Sequence, residues 1–561
     1  MQIIKPLFYL FIFLLPFSVF SQSTYIPLGS KDYNLIDRLE IKSGDPNLFF
    51  TTIKPLNRKR IVEEVEKIDN AFKNKDSGNV RLTPTDLYDI NSLLMNNAEW
   101  AQPREEFRSK KAILKNFYQS KANFYEVNIK DFYMALNPVV QYQQMFESNN
   151  NQNLFYNSRG ISVRGLIAKK IAFDIYITDN QERDPLYVQQ WINKFTAVPG
   201  ARFYKNFKAA GGYDYFDNRA SINFTATKYI DIQLGYDRNF IGNGYRSLFL
   251  SNFPGNALFL KFNTRIWKLN YENLFMELVP KSRRAGGNSL ASRKYFRMNH
   301  LSFNATKWLN VGLFDAVTFG RKDHFDFQYL IPVMFLRPAE SDIGSADNAL
   351  VGLDFKANVK KKFQVYGQLS LDEFLLREVF KSNGYWANKF GYQLGIKYPD
   401  AFGIKNLDMQ VETNRIRPFT YSHNDSVADY SHYNQPLAHP LGANLQEYIA
   451  IVKYRPVKKL YVEIRAIYYK QGLDSLGQDY GSNVFTSYDN RTRNYGYFIG
   501  SGNTVQSINA YLLTSYELKE NLFIDAAIQH RTYDMNVGGK TNTTVISVGV
   551  RLNSVRRFFD F

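Results

Sequence analysis

Cysteine is absent from all 561 residues of the sequence. Its absence excludes disulfides, thiolate metal sites, a cysteine nucleophile and the cysteine that would carry a lipoprotein anchor. Long apolar runs are also missing beyond Phe20, whereas a transmembrane helix needs about 18 or more such residues. The sequence contains neither a Gly-x-Ser-x-Gly hydrolase elbow nor a glycine-rich phosphate loop. These absences exclude several common enzyme classes and every helical membrane anchor after the first residues.

The first residues resemble a secretory signal peptide. Lys5 is followed by the apolar run PLFYLFIFLLPFSVF, and Val19 and Ser21 are small residues at the −3 and −1 positions of a cleavage site. We therefore predict a signal peptide over residues 1–21, cut between Ser21 and Gln22, and an exported protein. A buried N-terminal helix is the alternative interpretation.

Aromatic residues are unusually abundant for a chain of low hydropathy. There are 39 Tyr and 46 Phe, although the mean hydropathy is −0.37. This combination is typical of a β-barrel in an outer membrane, whose walls alternate apolar and polar residues and carry aromatic girdles. A large soluble β-protein is the alternative. The excess of 70 basic over 52 acidic residues gives a net charge of +18; turn lysines that face the periplasm and the headgroups explain much of it, and it also suits acidic lipopolysaccharide or capsule.

Residues 22–120 have a helical pattern. In RKRIVEEVEKIDNAF, Ile61, Val65, Ile68 and Phe72 recur at spacings of three and four, as on one face of a helix. Thr83, Pro84 and Asp86 form a helix N-cap signature in TPTDLYDINSLL. Because this region precedes the first strand, we predict a small α-helical periplasmic domain.

Residues 121–561 have the period-two pattern of β-strands. In LYVEIRAIYY, Leu460, Val462 and Ile464 share one face, whereas Glu463 and Arg465 share the other. Asp525, Arg531 and Ile528 follow the same rule in NLFIDAAIQHR, so we expect the charged faces to line a polar lumen and the apolar faces to meet lipid. Short turns alternate with long polar loops along this region. The predicted fold is an all-β transmembrane barrel of about 18 antiparallel strands, with the small helical domain before it.

Three unusual segments are predicted at the outer mouth of this barrel. They are RNFIGNGYRSLFLSNFPGN (residues 238–256), DFQYLIPVMFLRPAESDIGSADN (residues 326–348) and the long loop of residues 420–442, which contains most of YSHYNQPLAHPLGANL. We expect the last of these to fold over or into the barrel, because its prolines prevent a regular ladder.

Several segments resemble the Wzi-like capsule-assembly outer-membrane proteins. They are IGNGYRSLFLSN, YLIPVMFLRPAESDIGSADN, DEF, WANKFG and, most specifically, HYNQPLAHPLGAN. Within that family they most resemble the RemB branch, which is linked to gliding motility. The resemblance covers most of the chain and implies a barrel of about 18 strands with a periplasmic helical bundle. It also implies a role in attaching surface polysaccharide or in cell-surface motility, and it does not decide between them.

The outer-mouth segments contain the groups that usually hold sugars and anionic polysaccharides, which are aromatic faces, planar amides and arginine forks. The candidate contact residues are Tyr245, Arg246, Arg337, Glu340, His432, Asn434 and His439. The alternative is that these residues only satisfy one another inside a plug, and for His432 and His439 we expect mainly that structural role.

Other chemistry has weaker support. His423, His432 and His439 could form a metal site, but they lie on a proline-broken loop, so we predict neither a metal nor another cofactor. An acid such as Glu340, Asp342 or Asp347 beside a histidine would suit a surface enzyme, and an open lumen would suit a channel. We predict a non-enzymatic outer-membrane protein. Its expected partners are membrane lipid, lipopolysaccharide, surface polysaccharide and the motility or secretion machinery, but not nucleic acid.

Overall fold

The structure is a computed structural model that describes residues 23–561, except for 75–79, 111, 115, 208–210, 282–290, 323, 333, 345–346 and 374. The predicted signal peptide, residues 1–21, lies outside the described residues. Within the described part of the chain, the helices are too short or too polar to cross a membrane.

A closed barrel of eighteen antiparallel strands dominates the fold, as predicted. Neighbouring strands pair in chain order, and the last strand closes on the first through pairs such as Leu552 with Val140. The strands are β1 (Phe132–Glu147), β2 (Leu154–Ile167), β3 (Ile171–Arg183), β4 (Gly212–Thr227), β5 (Ile230–Asp237), β6 (Ala257–Ile266), β7 (Leu269–Leu278), β8 (Lys294–Asn304), β9 (Leu309–Phe319), β10 (Asn348–Val359), β11 (Phe363–Glu373), β12 (Lys389–Tyr398), β13 (Leu407–Ile416), β14 (Leu445–Val457), β15 (Leu460–Leu473), β16 (Asn503–Lys519), β17 (Leu522–Met535) and β18 (Gly539–Leu552).

Alternation along the strands separates the two faces of the wall. On β15, Glu463 and Arg465 are buried in the lumen, whereas Ile464 is 52% exposed on the outside. Asp525 contacts Arg551 and Arg556 in the lumen, and Ile528 is exposed on the outer wall. The predicted facing of these residues is confirmed. A charge at mid-bilayer on the lipid side costs about 2–4 kcal/mol, so the outer face selects this register.

The two ends of the barrel differ in their connections. One end has tight turns, for example between β2 and β3 and between β16 and β17, and we call it the short-turn end. The opposite, long-loop end carries the connections between β3 and β4, β13 and β14, and β15 and β16. Trp267 and Trp308 are exposed on the short turns, as expected for an aromatic girdle at a membrane interface.

The N-terminal helices lie at the short-turn end and dock on the barrel. They are α1 (Asp32–Ser43), α2 (Arg58–Lys73) and α3 (Pro84–Asn96). Their apolar faces form one core, which includes Ile61, Val65 and Ile68. The predicted capping box is present, because Thr83 and Asp86 exchange both hydrogen bonds at the start of α3. The division of the chain at residue 120 into two domains stays a prediction.

The remaining elements are short. The helices are α4 (Leu186–Phe195), α5 (Arg337–Asp342) and α6 (Leu376–Lys381), with single 3₁₀ turns at Pro46–Phe49, Glu105–Phe107, Phe327–Leu330, Ala401–Gly403 and Tyr488–Asn490. Short strands occur at Tyr25–Ile26, Ile53–Lys54, Leu56–Asn57, Tyr125–Ile129, Lys205–Phe207, Phe240–Ile241, Ser431–His432 and Gln435–Pro436. Two of them join distant regions, because Phe240–Ile241 pairs with Ile53–Lys54.

Candidate functional site

The loop of residues 238–256 enters the lumen and reaches the helical region. Its Phe240–Ile241 strand pairs with Ile53–Lys54 before the chain turns back toward β6. Gly244 is needed where the loop passes the wall, because a Cβ there would lie 2.4 Å from Glu412 Oε2. Glu412 in turn accepts hydrogen bonds from the backbone N–H groups of Tyr245, at 2.6 Å, and Arg246, at 3.1 Å. This predicted outer-mouth loop is therefore a plug inside the barrel.

Tyr245 and Arg246 belong to a buried charge cluster in the lumen. The Arg246 guanidinium lies 3.0 Å from Glu447 and 3.1 Å from Asp560. Arg465 lies 3.1 Å from the second oxygen of Asp560, and Tyr245 donates its hydroxyl to the same carboxylate. These side chains satisfy one another, so Tyr245 and Arg246 do not form an exposed surface for a sugar.

Asp560 is held ionised by this cluster. Burial raises the pKa of a carboxyl, but Arg246 and Arg465 beside Asp560 bring its pKa below the ordinary value. Burial also raises the pKa of the Tyr245 phenol well above its usual range, so that Tyr245 remains a neutral donor. Asp560 is thus the acceptor that Arg246, Arg465 and Tyr245 share. Two further carboxylates complete the cluster, because Glu447 pairs with Arg246 and Glu463 pairs with Arg465.

Asp560 comes from the residues that follow the last strand. Residues 553–561 turn back from the short-turn end and run through the lumen. Arg557 pairs with Glu182 near the long-loop end, and the carbonyl of Phe559 accepts a hydrogen bond of 2.7 Å from Tyr187. Phe561 packs on Trp191 with 5.5 Å between ring centroids. SVRRFFDF therefore fills the lumen and does not extend β18.

The histidine-containing loop, residues 417–444, covers the same plug from the long-loop end. Tyr421 donates to the Leu248 carbonyl at 2.9 Å, and Tyr430 donates to the Phe249 carbonyl at 2.7 Å. Both tyrosines come from the loop and both carbonyls from the inserted 238–256 segment. The prediction that YSHYNQPLAHPLGANL folds into the barrel is confirmed.

His432 and His439, two of the three histidines of this loop, accept backbone hydrogen bonds. His432 Nδ1 accepts from the Val279 N–H at 3.1 Å, so its Nε2–H donates to the Asn256 carbonyl at 3.1 Å. His439 accepts from the Leu441 N–H at 3.2 Å and lies 2.8 Å from Glu447. Burial lowers the pKa of His432 to about 3, which keeps the ring neutral.

These histidines are not arranged as metal ligands. Both ring nitrogens of His432 and of His439 are engaged by protein groups, and His423 accepts from the Asp425 N–H at 3.2 Å. Across the described residues, no group of three or more His, Asp or Glu side chains is placed to hold a metal ion. Asn434 is likewise a structural residue, since it donates to the Thr196 hydroxyl at 2.9 Å.

Arg337 and Glu340 lie elsewhere, which corrects their predicted place at the outer mouth. The described residues of 320–347 fold against the outside of the barrel wall, where the Phe335 and Leu336 N–H groups bond Asp315. Arg337 pairs with Glu340 at 2.6 Å within α5 of that segment. The physical reason is that β7, β8 and β9 carry outward-facing polar residues that require partners. Asp347, which pairs with Arg321 and accepts from Tyr329, is also outside, so these acids are separated from His432 and His439.

A cavity of about 680 Å³ remains inside the barrel between the helical region and the plug. The 238–256 loop and residues 553–561 bound it toward the long-loop end. Its wall is rich in cations, which include Arg164, Arg219, Arg238, Lys397, Lys453 and Arg556. The cavity is therefore a basic internal chamber.

An aromatic patch lies at the long-loop end, above the plug. We define it as Tyr385, Trp386, Tyr488, Arg491 and Tyr495. The Arg491 guanidinium lies 3.7 Å from the Trp386 ring centre, and the Tyr488 and Trp386 ring centres are 4.9 Å apart. Tyr495 packs 5.5 Å from Tyr385 and is 49% exposed.

Backbone hydrogen bonds fix the two loops that carry this patch. The Trp386 N–H donates to the Asn494 carbonyl at 3.0 Å, and the Gly496 N–H donates to the Asn383 carbonyl at 2.9 Å. None of these five residues was predicted as a contact residue, although WANKFG contains Trp386. The tyrosine-rich, arginine-rich stretch SYDNRTRNYGYF, residues 487–498, was the signal that could have identified them.

No family model and no curated protein matches the sequence. Among solved structures, the fold is similar to Wzi, an outer membrane protein involved in group 1 capsule assembly in Escherichia coli that is described as a carbohydrate-binding β-barrel. The identity is 12%, the match covers 96% of this chain and 100% of that one, and the TM-score is 0.56. Two Pseudomonas aeruginosa proteins also match over 75% of this chain. OprD has 12% identity, 95% coverage of its own chain and a TM-score of 0.40. OccK8 (OprE) has 8% identity, 98% coverage and a TM-score of 0.41.

Proposed function

We propose that the protein is a non-enzymatic outer-membrane barrel that attaches or organises surface polysaccharide through the aromatic patch at its long-loop end. In the proposed orientation of the barrel in the outer membrane, the long-loop end faces the cell exterior, and the helical region faces the periplasm. The apolar outer wall and the tryptophans on the short turns support a membrane position. The expected partners are membrane lipid, lipopolysaccharide and capsular or other surface polysaccharide.

The single observation that carries this proposal is the composition and order of the patch. Sugar rings present apolar C–H faces that stack on aromatic side chains, and their hydroxyls and carboxylates bond arginine. Stacking on Trp386 orients Arg491 before any ligand arrives, which reduces the entropy lost on binding. The net charge of +18 favours an acidic polymer.

The test compares two exposed aromatics on the same loop. Tyr495 belongs to the patch and Phe498 does not, and each is 49% exposed. Cells that lack the protein would be complemented with wild type, Tyr495→Ala or Phe498→Ala, and cell-bound and released polysaccharide would be measured. We expect Tyr495→Ala to release polysaccharide and Phe498→Ala to retain it.

Binding of the polysaccharide extracted from these cells to purified protein would accompany that assay. Loss of one aromatic contact worth about 0.5–1.5 kcal/mol weakens binding roughly twofold to tenfold. Equal binding by Tyr495→Ala, Arg491→Ala and wild type would contradict the proposal.

A solute or polysaccharide channel is a second candidate, which the internal chamber favours. The chamber of about 680 Å³ and its basic lining would suit anions, but the 238–256 loop and residues 553–561 stand between it and the long-loop end. Swelling of liposomes in arabinose measures this directly, and rapid swelling with wild-type protein would support the channel.

A role in cell-surface motility is a separate proposal. Membership of the RemB branch and contact with motility or secretion machinery are supported only by the sequence motifs. Scoring cell spreading beside polysaccharide retention in the same complemented cells tests both roles. Loss of spreading with normal retention would favour the motility role.

A further inference from the structure

The outer wall has one stretch that is polar and covered. Four polar side chains on β7, β8 and β9 point away from the lumen: Asn273, Arg297, Asn299 and Asp315. On β8, Lys294 and His300 point into the lumen, so Arg297 and Asn299, at the alternate positions, point outward. Asn273 and Asp315 pair with Asn299 across the ladder and therefore point outward with it. These four residues are nevertheless buried. The cover is formed by the described residues of the segment 320–347, which we call the strap.

The polar row lies at membrane depth. Asp315 follows the exposed Trp308 of the short-turn end by seven residues along β9. At about 3.3 Å per residue and a tilt of about 40°, it is roughly 18 Å from that interface, within an apolar band about 25 Å tall. Bare polar groups at this depth would be costly, so the strap replaces water as their partner.

The strap satisfies the row with its own backbone. Asp315 accepts from the Phe335 N–H at 2.9 Å and the Leu336 N–H at 3.1 Å. Arg297 donates to the Tyr329 carbonyl at 3.1 Å, and its guanidinium lies 4.2 Å from the Phe275 ring centre. Asn273 and Asn299 bond one another at 2.7 Å. At membrane depth, non-helical backbone is tolerated where protein covers it, as the barrel wall covers this face of the strap.

Four apolar side chains of the strap are exposed away from the wall, and Arg337 and Asp342, farther along the strap, are exposed as well. Phe327, Leu330, Ile331 and Phe335 are all exposed, and Leu330 is 48% exposed. On the wall beside them, Leu353 and Leu369 are exposed as well, so one apolar surface continues from wall to strap.

We propose that the strap lies in the outer membrane itself, with its apolar face in contact with the hydrocarbon chains of lipid. It is a membrane-embedded part of the barrel exterior and not an outer-mouth loop. The inference rests on the proposed membrane position of the barrel, but not on carbohydrate binding. Hydrocarbon is the occupant favoured by the depth of the row and by continuity with the lipid-facing wall.

The absence of cysteine permits a direct test with single-cysteine variants. Leu330→Cys reports on the strap, Ile464→Cys on the uncovered wall, and Leu476→Cys on a long-loop residue that is 98% exposed. Each would carry an environment-sensitive fluorophore in vesicles of phosphatidylcholine with brominated acyl chains. We expect the labels at 330 and 464 to lose fluorescence equally and the label at 476 to keep it.

The outcomes separate the two proposals. Quenching at 464 without quenching at 330 would overturn the strap proposal, and a partner protein or water would then cover this face. No quenching at 464 would instead contradict the membrane position of the barrel.

A second variant tests how the strap is held. In Leu330→Cys protein, Asp315→Ala removes the acceptor of two strap N–H groups, and Leu313→Ala changes the same outward face of β9 at a site that makes no such bond. We expect only Asp315→Ala to reduce quenching of the label at 330 and, in a separate unlabelled sample, to make the introduced cysteine react with a membrane-impermeant maleimide. Unchanged quenching in Asp315→Ala would show that Asp315 does not hold the strap.

Discussion

At the scale of single residues, buried charges are placed by partners that arrive from distant parts of the chain. Arg465 lies on a barrel strand, but it reaches Asp560 of the post-barrel segment and stacks 4.0 Å from the Phe558 ring centre. Such pairs contribute little net stability compared with apolar packing, although removing one partner is costly. Their main consequence here is that each inserted segment has one position in the lumen.

His432 provides a residue-scale prediction about pH. Its pKa is about 3 in the folded protein because of burial, against about 6.5 in an unfolded chain. Between these two pH values the unfolded state binds a proton at His432 and the folded state does not. The contribution of His432 to the free energy of unfolding is therefore fully present above about pH 6.5 and is lost as the pH falls toward 3. At pH 5 the loss is about 2 kcal/mol.

His432→Asn retains an acceptor for the Val279 N–H and removes the titrating ring. We expect wild type to melt at a lower temperature at pH 5 than at pH 7, and this difference to be smaller in His432→Asn. The exposed His530→Asn serves as the control and should behave as wild type. An unchanged pH dependence in His432→Asn would contradict the assignment of His432 as a buried neutral anchor.

At the scale of elements, irregular segments determine what the barrel can do. The strands resemble one another, whereas the inserted 238–256 loop, the 417–444 loop and residues 553–561 occupy the lumen and bound the basic chamber. Residues 553–561 link three separate elements, since they contact Glu182 of β3, Tyr187 of α4 and Arg246 of the 238–256 loop.

Removal of residues 554–561 is expected to open the barrel to small solutes. It deletes Arg557 and Asp560, leaves Glu182 and Arg246 without these partners, and empties the path beside the chamber. Arabinose should then swell liposomes that contain the truncated protein faster than those with wild type. Asp560→Asn keeps the bulk of the segment and should swell them much less; equal rates for truncated and wild-type protein would show that other segments block the lumen.

At the scale of the whole molecule, the helical region and the barrel form one body joined by ion pairs around the short-turn end. Lys31 pairs with Glu517, Arg38 with Asp400, and Arg164 with Glu99. These contacts come from opposite parts of the barrel rim, so the helices close that end from all sides.

Arg38→Ala tests this attachment. Arg38 bonds the buried Asp86 at 2.7 Å and pairs with Asp400 and Asp408 of the barrel. Removing one partner of a buried pair costs about 3–5 kcal/mol, so the helices should become sensitive to protease while the barrel remains resistant. Lys59→Ala is the control, because it removes a partly exposed helix pair with Glu63 at 3.9 Å, worth about 0.3–0.5 kcal/mol, and a contact with Trp100 in the helical region, but no contact with the barrel strands. Equal protease resistance in both variants would contradict the role of Arg38.

Much of this architecture could be predicted from the sequence, because strand residues alternate between an apolar outer face and a polar lumenal face. Alternation identified the lumenal Glu463 and Arg465, and the Thr83 cap is purely local. The strap could not be placed, because its residues have no periodicity and its partners Arg297 and Asp315 are far away in the chain. KYFRMNHLSFN did carry a signal, since both faces of this strand contain polar residues. The patch was missed because two separate loops build it.

The path of residues 553–561 has a consequence for biogenesis. The last strand of the barrel ends at Leu552, so an insertion factor that recognises this strand would bind TVISVGVRL. Synthesis proceeds from the N-terminus, so the lumenal segment is made after the whole wall. Because this segment continues directly from β18, its entry into the lumen and the pairing of β18 with β1 are linked steps of assembly.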